Sequence, residues 1–167
     1  MTNLERSVDY RNPGRQDRML RERVHDPYRY SQKLKEPTVC PKCRAVVQNG
    51  RWSWADAPSG ANQQTCPACL RIRDRVPAGY LTLQGEFLSL HETEIMNLIR
   101  NHVTRERIRH PLKRIMQSEK QDKGFVVTFT DAHLARGVGE AIYNAYDGEL
   151  DIHYTKDDVM LRVKWSR

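Results

Sequence analysis

Two close pairs of cysteines constrain this chain more than any other feature of its sequence. Residues 40–43 and 66–69 each read Cys-Pro-x-Cys, and 22 residues separate the two pairs. A Cys-x-x-Cys turn presents two sulfurs to one ion, and Zn²⁺ takes four thiolates in a tetrahedron. Proline after the first cysteine fixes φ and helps to pre-form each turn. The pattern predicts a zinc ribbon with one Zn²⁺ ion, whose ligands are Cys40, Cys43, Cys66 and Cys69.

Two other uses of the four cysteines stay open, a rubredoxin-like iron site and a thiol–disulfide redox pair. Arg44 and Leu70 stand where iron-binding turns often carry glycine, which disfavours iron. A four-cysteine shell leaves no coordination position for water or substrate, so a zinc ion held this way is predicted to be structural.

The N-terminal sequence bears on the cellular compartment. The first thirty residues are rich in Arg, Asp and Glu and lack the apolar block of a signal peptide. No apolar run approaches the roughly 18 to 20 residues that a membrane span needs. We therefore expect a cytoplasmic protein with no membrane partner. Thiols stay reduced in that compartment, which favours metal over disulfides.

Composition divides the 167 residues into a basic arm over residues 1–38, the zinc ribbon over residues 39–79 and an α+β domain over residues 80–167. The arm interleaves arginines with tyrosines and shows little apolar periodicity, so it is expected to be partly disordered or helical. A short helix near residues 16–25 would end at Asp26-Pro27, because the residue before proline avoids helical backbone.

Within the ribbon, the stretch from Arg44 to Trp54 is typical of a β-hairpin that turns at Asn49-Gly50. Asn-Gly suits a type I′ turn because both residues tolerate positive φ. Residues 56–64 contain Pro, Ser and Gly and are predicted to form a mobile loop.

The last domain begins with a predicted strand over residues 80–88, with a bulge at Gly85. A helix follows that begins in a Ser89–Glu92 capping box and ends before Pro111. Its apolar stripe is Ile95, Leu98, Ile99 and Val103.

From Leu112 onward the pattern predicts the order strand, strand, helix, strand, strand, which gives a small α+β layer. Thr130 or Asp131 is expected to cap the helix. Gly137 and Gly139 lower helix propensity by about 1 kcal/mol each and are expected to permit close packing on a strand. A turn around residues 156–158 joins the last two strands.

The formal net charge of the chain is +7, and the positive excess lies on the first three of its four segments. Residues 1–38 carry +3, residues 39–79 carry +4, residues 80–123 carry +2 and residues 124–167 carry −2. Positive potential attracts phosphate backbones, so any nucleic-acid surface is expected within the first three segments, and the leading hypothesis places it on the arm and the ribbon.

The candidate nucleic-acid contacts are basic or aromatic residues of the ribbon, the stretch after it and the arm. They are Lys42, Arg44, Arg51, Trp52, Trp54, Arg71, Arg73, Arg75, Arg18 and Arg21. The alternate spacing of the arginines after the ribbon would place them on one side of an extended segment. Aromatic side chains of such hairpins can stack on unpaired bases. The competing interpretation is that the two tryptophans only cover the metal site.

Catalytic patterns are missing from the sequence. The six histidines lie at scattered positions, and no Gly-rich phosphate loop, nucleophile elbow or His-Glu-x-x-His motif is present. We therefore expect no enzymatic activity, no catalytic residues and no small-molecule substrate.

Three stretches resemble the NMD-type zinc-ribbon family and its short bacterial relatives. They are the two Cys-Pro-x-Cys turns, Gly50 to Trp54, and Asp131 to Arg136 continuing through Ala145 to Asp151. The longer eukaryotic and archaeal members act on the large ribosomal subunit. They carry a second set of zinc-binding cysteines and further domains that these 167 residues lack, so their export role is not transferred. The resemblance implies association with the ribosome or ribosomal RNA.

The leading hypothesis is thus a zinc-binding, non-enzymatic RNA-binding protein associated with the ribosome. A DNA-binding or transcription-associated ribbon is one alternative, because basic hairpins also engage duplex grooves. A protein-interaction module with the zinc as a structural clip is another, and neutral patches on the ribbon face would favour it.

Overall fold

The computed structural model describes residues 26–30, 32–154 and 160–167 in full, and the backbone of residues 6–9. The described residues form a mixed α+β fold with two sheets and four helices, which confirms the predicted class. The strands are β1 (Arg6–Asp9), β2 (Thr38–Val39), β3 (Val46–Gln48), β4 (Arg51–Ser53), β5 (Asn62–Gln63), β6 (Gly79–Gln84), β7 (Ile115–Gln121), β8 (Gly124–Phe129), β9 (Glu149–Tyr154) and β10 (Leu161–Ser166). The helices are α1 (Pro67–Asp74), α2 (Glu86–Leu90), α3 (Glu92–Arg109) and α4 (Ala132–Tyr146).

The smaller sheet has the strand order β4-β3-β2-β5 and contains the predicted hairpin. Strands β3 and β4 pair antiparallel around a turn in which Asn49 and Gly50 both have positive φ, 54° and 73°. The Glu36 carboxylate accepts both turn N–H groups at 2.7 Å, which fixes the tip. The expectation of a loop over residues 56–64 was wrong in part, because β5 pairs parallel with β2.

The larger sheet has six strands in the order β1-β9-β10-β6-β8-β7. Its neighbours pair antiparallel except for β10 and β6, which run parallel. The edge strand β1 belongs to the stretch that composition assigned to the arm, and the sequence did not predict it. The arm helix near residues 16–25 and the turn at residues 156–158 lie outside the described residues.

Helices α3 and α4 pack together on one face of the larger sheet and bury the main apolar core. The predicted stripe of α3 is confirmed, since Ile95, Ile99 and Val103 are buried. The Asp131 carboxylate caps α4 by accepting the N–H of Leu134 at 2.7 Å. No helix among the described residues has the length and hydrophobicity to span a bilayer.

The start of this domain differs from the prediction around Gly85. Strand β6 stops at Gln84 because Gly85, at φ 111°, lies against the backbone of Arg167, where an added Cβ would come within 2.1 Å of the carbonyl oxygen. The prediction of a bulge at Gly85 was therefore wrong. The prediction of a capping box over Ser89–Glu92 was wrong as well. Ser89 belongs to α2, and the His91 side chain makes no capping hydrogen bond at the start of α3.

Candidate metal centre and basic surface

The two cysteine turns have different backbone settings. Cys40 follows β2, and its turn closes through a hydrogen bond from the N–H of Arg44 to the Cys40 carbonyl at 2.9 Å. Arg44 has φ 68°, a left-handed conformation that turns the chain sharply back into β3. Cys66 instead caps the N-terminus of α1, and Cys69 lies in the first turn of that helix. The end of strand β2 and the N-terminus of helix α1 thus face each other across the four cysteine sulfurs.

The four cysteine sulfurs are positioned to hold one metal ion. All four lie within 4.8 Å of one another, and the Sγ atoms of Cys43 and Cys66 are 3.7 Å apart. A tetrahedral zinc–thiolate site with Zn–S near 2.3 Å would place its sulfurs about 3.8 Å apart. Cys40 and Cys66 are fully buried, so the centre is shielded from solvent on one side. The ligand set predicted from the sequence therefore converges in the fold.

Backbone N–H groups donate to the sulfurs, as they do in thiolate sites. The N–H of Cys66 donates to Cys40 Sγ at 3.3 Å, and the N–H of Cys69 donates to Cys66 Sγ at 3.4 Å. Burial alone would raise the pKa of Cys40, but backbone hydrogen bonds from Cys66, Cys43 and Lys42 lower that pKa to about 7. Burial and the neighbouring sulfur charges raise the pKa of Cys66. Four thiolates this close together need a cation among them.

Arg114 is the residue of this centre that sequence reasoning missed. Its guanidinium donates from Nη1 to Cys69 Sγ at 3.4 Å and from Nη2 to Cys66 Sγ at 3.3 Å. The side chain is only 9% exposed, and Nε donates to the carbonyl of Pro111 at 2.9 Å. Burial works against the charged guanidinium, yet the hydrogen bond and charge of Cys69 raise the pKa of Arg114.

The position of Arg114 explains why no sequence pattern indicated its role. It lies 45 residues beyond Cys69, immediately before β7, in a stretch that carries no cysteine motif. Its backbone is fixed by Thr130, whose Oγ1 accepts the N–H of Arg114 at 2.9 Å. Only the packing of the ribbon against the α+β domain brings the guanidinium to the sulfurs.

The two tryptophans of the hairpin have different environments. Trp52 packs against the cysteine cluster together with Leu112, which agrees with the interpretation that it covers the metal site. Trp54 does not join that cluster; its indole N–H donates to the carbonyl of Arg107 in α3 at 2.7 Å. The two aromatic residues therefore carry separate roles.

Three of the predicted basic contacts, Lys42, Arg44 and Arg51, are exposed on the ribbon. No described carboxylate lies within ion-pair distance of them. Arg18 and Arg21 lie outside the described residues. Contact of any of these side chains with nucleic acid stays a prediction.

The arginines after the ribbon are not arranged as expected. They are not on an extended segment, because helix α1 runs to Asp74 and Arg75 follows it at φ 57°. Arg71 is 4% exposed, ion-paired to Asp26 at 2.6 Å and stacked on Tyr28, so it is part of the packing. Arg73 pairs with Asp74 at 2.6 Å and stays exposed.

Metal binding changes the net charge that is expected from composition alone. Four thiolates and one divalent ion carry two negative charges, so metal binding lowers the formal charge from +7 to +5. Arg114 compensates one of those two charges inside the protein. The positive potential of the ribbon surface therefore depends on its exposed side chains and is not cancelled by the centre beneath them.

The fold and the cysteine centre define a mixed α+β protein whose four-cysteine module lies, in chain order, between strands β1 and β6 of the larger sheet and is positioned to hold a metal ion. Comparison of this chain with models of known families, with curated proteins and with solved structures finds no significant match. The resemblance to the NMD-type family stays an expectation.

Proposed function

We propose that this chain is a zinc-binding, non-enzymatic protein that binds RNA and associates with the ribosome or ribosomal RNA. The observation that carries the proposal is a ribbon with exposed Lys42, Arg44 and Arg51, built directly over a closed four-cysteine centre. The metal centre stiffens the first cysteine turn, which presents Lys42 and Arg44, while β4 presents Arg51.

Zinc is the proposed ion because all four ligands are sulfur and the tetrahedral spacing is met without a free position. The chemistry of such an ion is structural, and it stabilises the two turns by holding all four thiolates. A redox role is disfavoured because Cys40 and Cys66 are fully buried and all four sulfurs converge on one centre, whereas a redox-active thiolate must be accessible to its partner.

RNA is the proposed polyanion because the ribbon carries both exposed cations and an exposed aromatic ring. Lys42 and Arg44 belong to the first cysteine turn, and Arg51 begins β4, three residues before Trp54. Cations bind phosphates with release of counterions, and unpaired bases stack on aromatic side chains. Duplex DNA would use the cations alone.

The test is co-sedimentation of the full chain with ribosomal particles on gradients of increasing salt. We expect comigration at low salt and its loss as salt rises. A triple variant, Lys42→Gln with Arg44→Gln and Arg51→Gln, should comigrate less and show a shallower salt dependence, by about 0.7 in the log–log slope for each lost phosphate contact.

The matched control removes the same charge from the other unit: Lys123→Gln with Arg162→Gln and Lys164→Gln, all exposed in the α+β domain. It should comigrate as the unaltered chain does. Equal loss in both triple variants would show that only net charge matters, and a chain that stays at the top of every gradient would refute ribosome association. Displacement by duplex DNA and not by ribosomal RNA would favour the DNA-binding alternative.

A further inference from the structure

Trp54 is an exposed aromatic residue that is held in one place. The side chain is 40% exposed, yet its indole N–H is satisfied by the Arg107 carbonyl at 2.7 Å. A ring fixed this way has little conformational freedom left to lose when a ligand covers it. Because Trp54 stands apart from the cysteine cluster, its position is not needed to cover the metal.

Helix α3 places one positive charge against this ring and carries two more on its last two turns. The Arg107 guanidinium lies 5.5 Å from the centroid of the Trp54 ring, within the range of a cation–π contact. Arg105, Arg107 and Arg109 are all exposed on the last two turns of α3. No carboxylate of the described residues is ion-paired with any of these three.

We propose that Trp54 and Arg107 together form a subsite for one unpaired base of single-stranded RNA. The base stacks on the exposed part of the indole ring, and the Arg107 guanidinium binds the adjacent phosphate. The binding surface then extends from the ribbon onto the last turns of α3, a helix that holds none of the candidate contacts predicted from the sequence. The proposal rests on the proposed RNA-binding function and names the part of RNA that this surface recognises.

Single-stranded RNA fits the subsite better than other polyanions do. A duplex keeps its base faces stacked inside the helix, so it offers phosphates to Arg107 but no base to Trp54. An acidic peptide offers carboxylates without an aromatic face. Stacking on an aromatic residue tolerates any base, so recognition here is of strandedness and not of sequence.

The test compares three probes by tryptophan fluorescence: a ten-nucleotide oligouridylate, an RNA duplex of equal phosphate number, and polyglutamate. The oligouridylate should quench emission more than the other two. Trp54→Phe should remove most of that quenching, because Trp165 is fully buried and Trp52 packs against the cysteine cluster.

The variants then separate stacking from charge. Trp54→Leu should weaken oligouridylate binding by about 5-fold or more while changing duplex binding less than 2-fold, as the loss of one stacked base predicts. Arg107→Gln should weaken oligouridylate binding more than Arg109→Gln, which removes the same charge from the same turn without touching Trp54. Metal content and circular dichroism establish that each variant is folded.

The outcomes separate this subsite from the function on which it rests. If the unaltered chain binds oligouridylate and both Trp54→Leu and Arg107→Gln bind it equally well, the subsite is refuted and RNA binding stands. Equal weakening by Arg107→Gln and Arg109→Gln also overturns the paired site. If the unaltered chain binds none of the RNA probes, the proposed function fails and the subsite fails with it. Binding of polyglutamate as tight as that of oligouridylate would point to an acidic protein partner instead.

Discussion

At the scale of single residues, Arg114 decides how the cysteine centre is supported. Its guanidinium is buried and makes three hydrogen bonds, two of them to sulfur. Burial of a guanidinium and of thiolates is costly, and their mutual attraction and hydrogen bonds offset that cost only while both partners are present. Removing the cation leaves the thiolates under-compensated and should loosen their hold on the metal.

We predict that Arg114→Met weakens zinc retention and lowers the free energy of unfolding by about 3 kcal/mol, the cost of breaking one side of a buried charge pair. The measurement is zinc transfer to a chromogenic chelator alongside urea unfolding. Lys113→Gln is the neighbouring control, since Lys113 pairs with Glu106 near the surface at 2.7 Å, where such pairs contribute about 1 kcal/mol or less. Equal effects of the two changes would show that Arg114 does not support the centre.

His102 makes a second prediction at this scale. The imidazole lies between α3 and α4, near Gly137, and burial lowers its pKa from the usual 6.5. The unfolded chain therefore takes up a proton at a higher pH than the folded chain does. Stability must then fall as pH drops through about 6.5 toward the lower folded pKa.

The expected result is that His102→Gln reduces the loss of stability between pH 7 and pH 5, measured by thermal unfolding of the metal-loaded protein. His133→Gln, on the exposed side of α4, is the matched control for replacing an imidazole with an amide. Because both variants keep all four cysteines, acid release of metal affects them equally and cancels in the comparison. A His102→Gln profile identical to that of the unaltered chain would contradict the assignment.

At the scale of elements, α4 contains two glycines, which are poor helix formers but let the helix pack closely on its neighbours. Gly139 faces the sheet, and an added Cβ would lie 2.6 Å from Val163 Cγ1 and 3.2 Å from Leu150 Cδ1. Gly137 faces α3 instead, where the nearest atom would be His102 Nε2 at 3.3 Å. One of the two glycines packs on strands, as the sequence predicted, and the other packs on a helix.

We predict that Gly139→Ala lowers the free energy of unfolding by about 1 to 3 kcal/mol through overpacking, although alanine is the better helix former. Gly137→Ala should change stability much less, because the tip of one side chain can give way. Chemical unfolding of the two variants under equal conditions measures the difference. A Gly139→Ala protein as stable as the Gly137→Ala protein would contradict the tight contact with β10.

The elements that the sequence predicted are those whose signals are local. The Asn49-Gly50 turn, the α3 stripe and the Asp131 cap all lie within a few residues of the structure they determine. Helix α1 was missed because the second cysteine pair was interpreted only as a turn and the stretch after it as extended, whereas Cys66 is itself the N-cap. That mistake placed Arg71 on a surface when it is buried beside Asp26.

At the scale of the whole molecule, pairings between distant segments could not be predicted. Strand β1 pairs with β9, and β10 joins β6 in parallel, across separations that leave no periodic signal. The four ligands were predictable because their spacing in the sequence already encodes the chemistry. Arg114 and the contact of Trp54 with α3 were not, since each needs the ribbon to be packed on the second unit.

The same packing connects the ribbon to the rest of the molecule. The ribbon is joined to the α+β domain by Arg114 at the metal centre and by Trp54 at the end of α3. Metal binding should therefore order more than the two cysteine turns, because it also fixes where the basic hairpin stands relative to α3. The proposed RNA binding by the hairpin and the last turns of α3 would depend on that relation.

The most direct test of this account is the metal content of purified protein. Elemental analysis by mass spectrometry should find one zinc ion per chain, and Cys66→Ser should lose it together with the folded ribbon, because Cys66 is both a ligand and the cap of α1. Protein that carries no stoichiometric metal, and yet is folded and insensitive to chelators, would contradict the account at its centre.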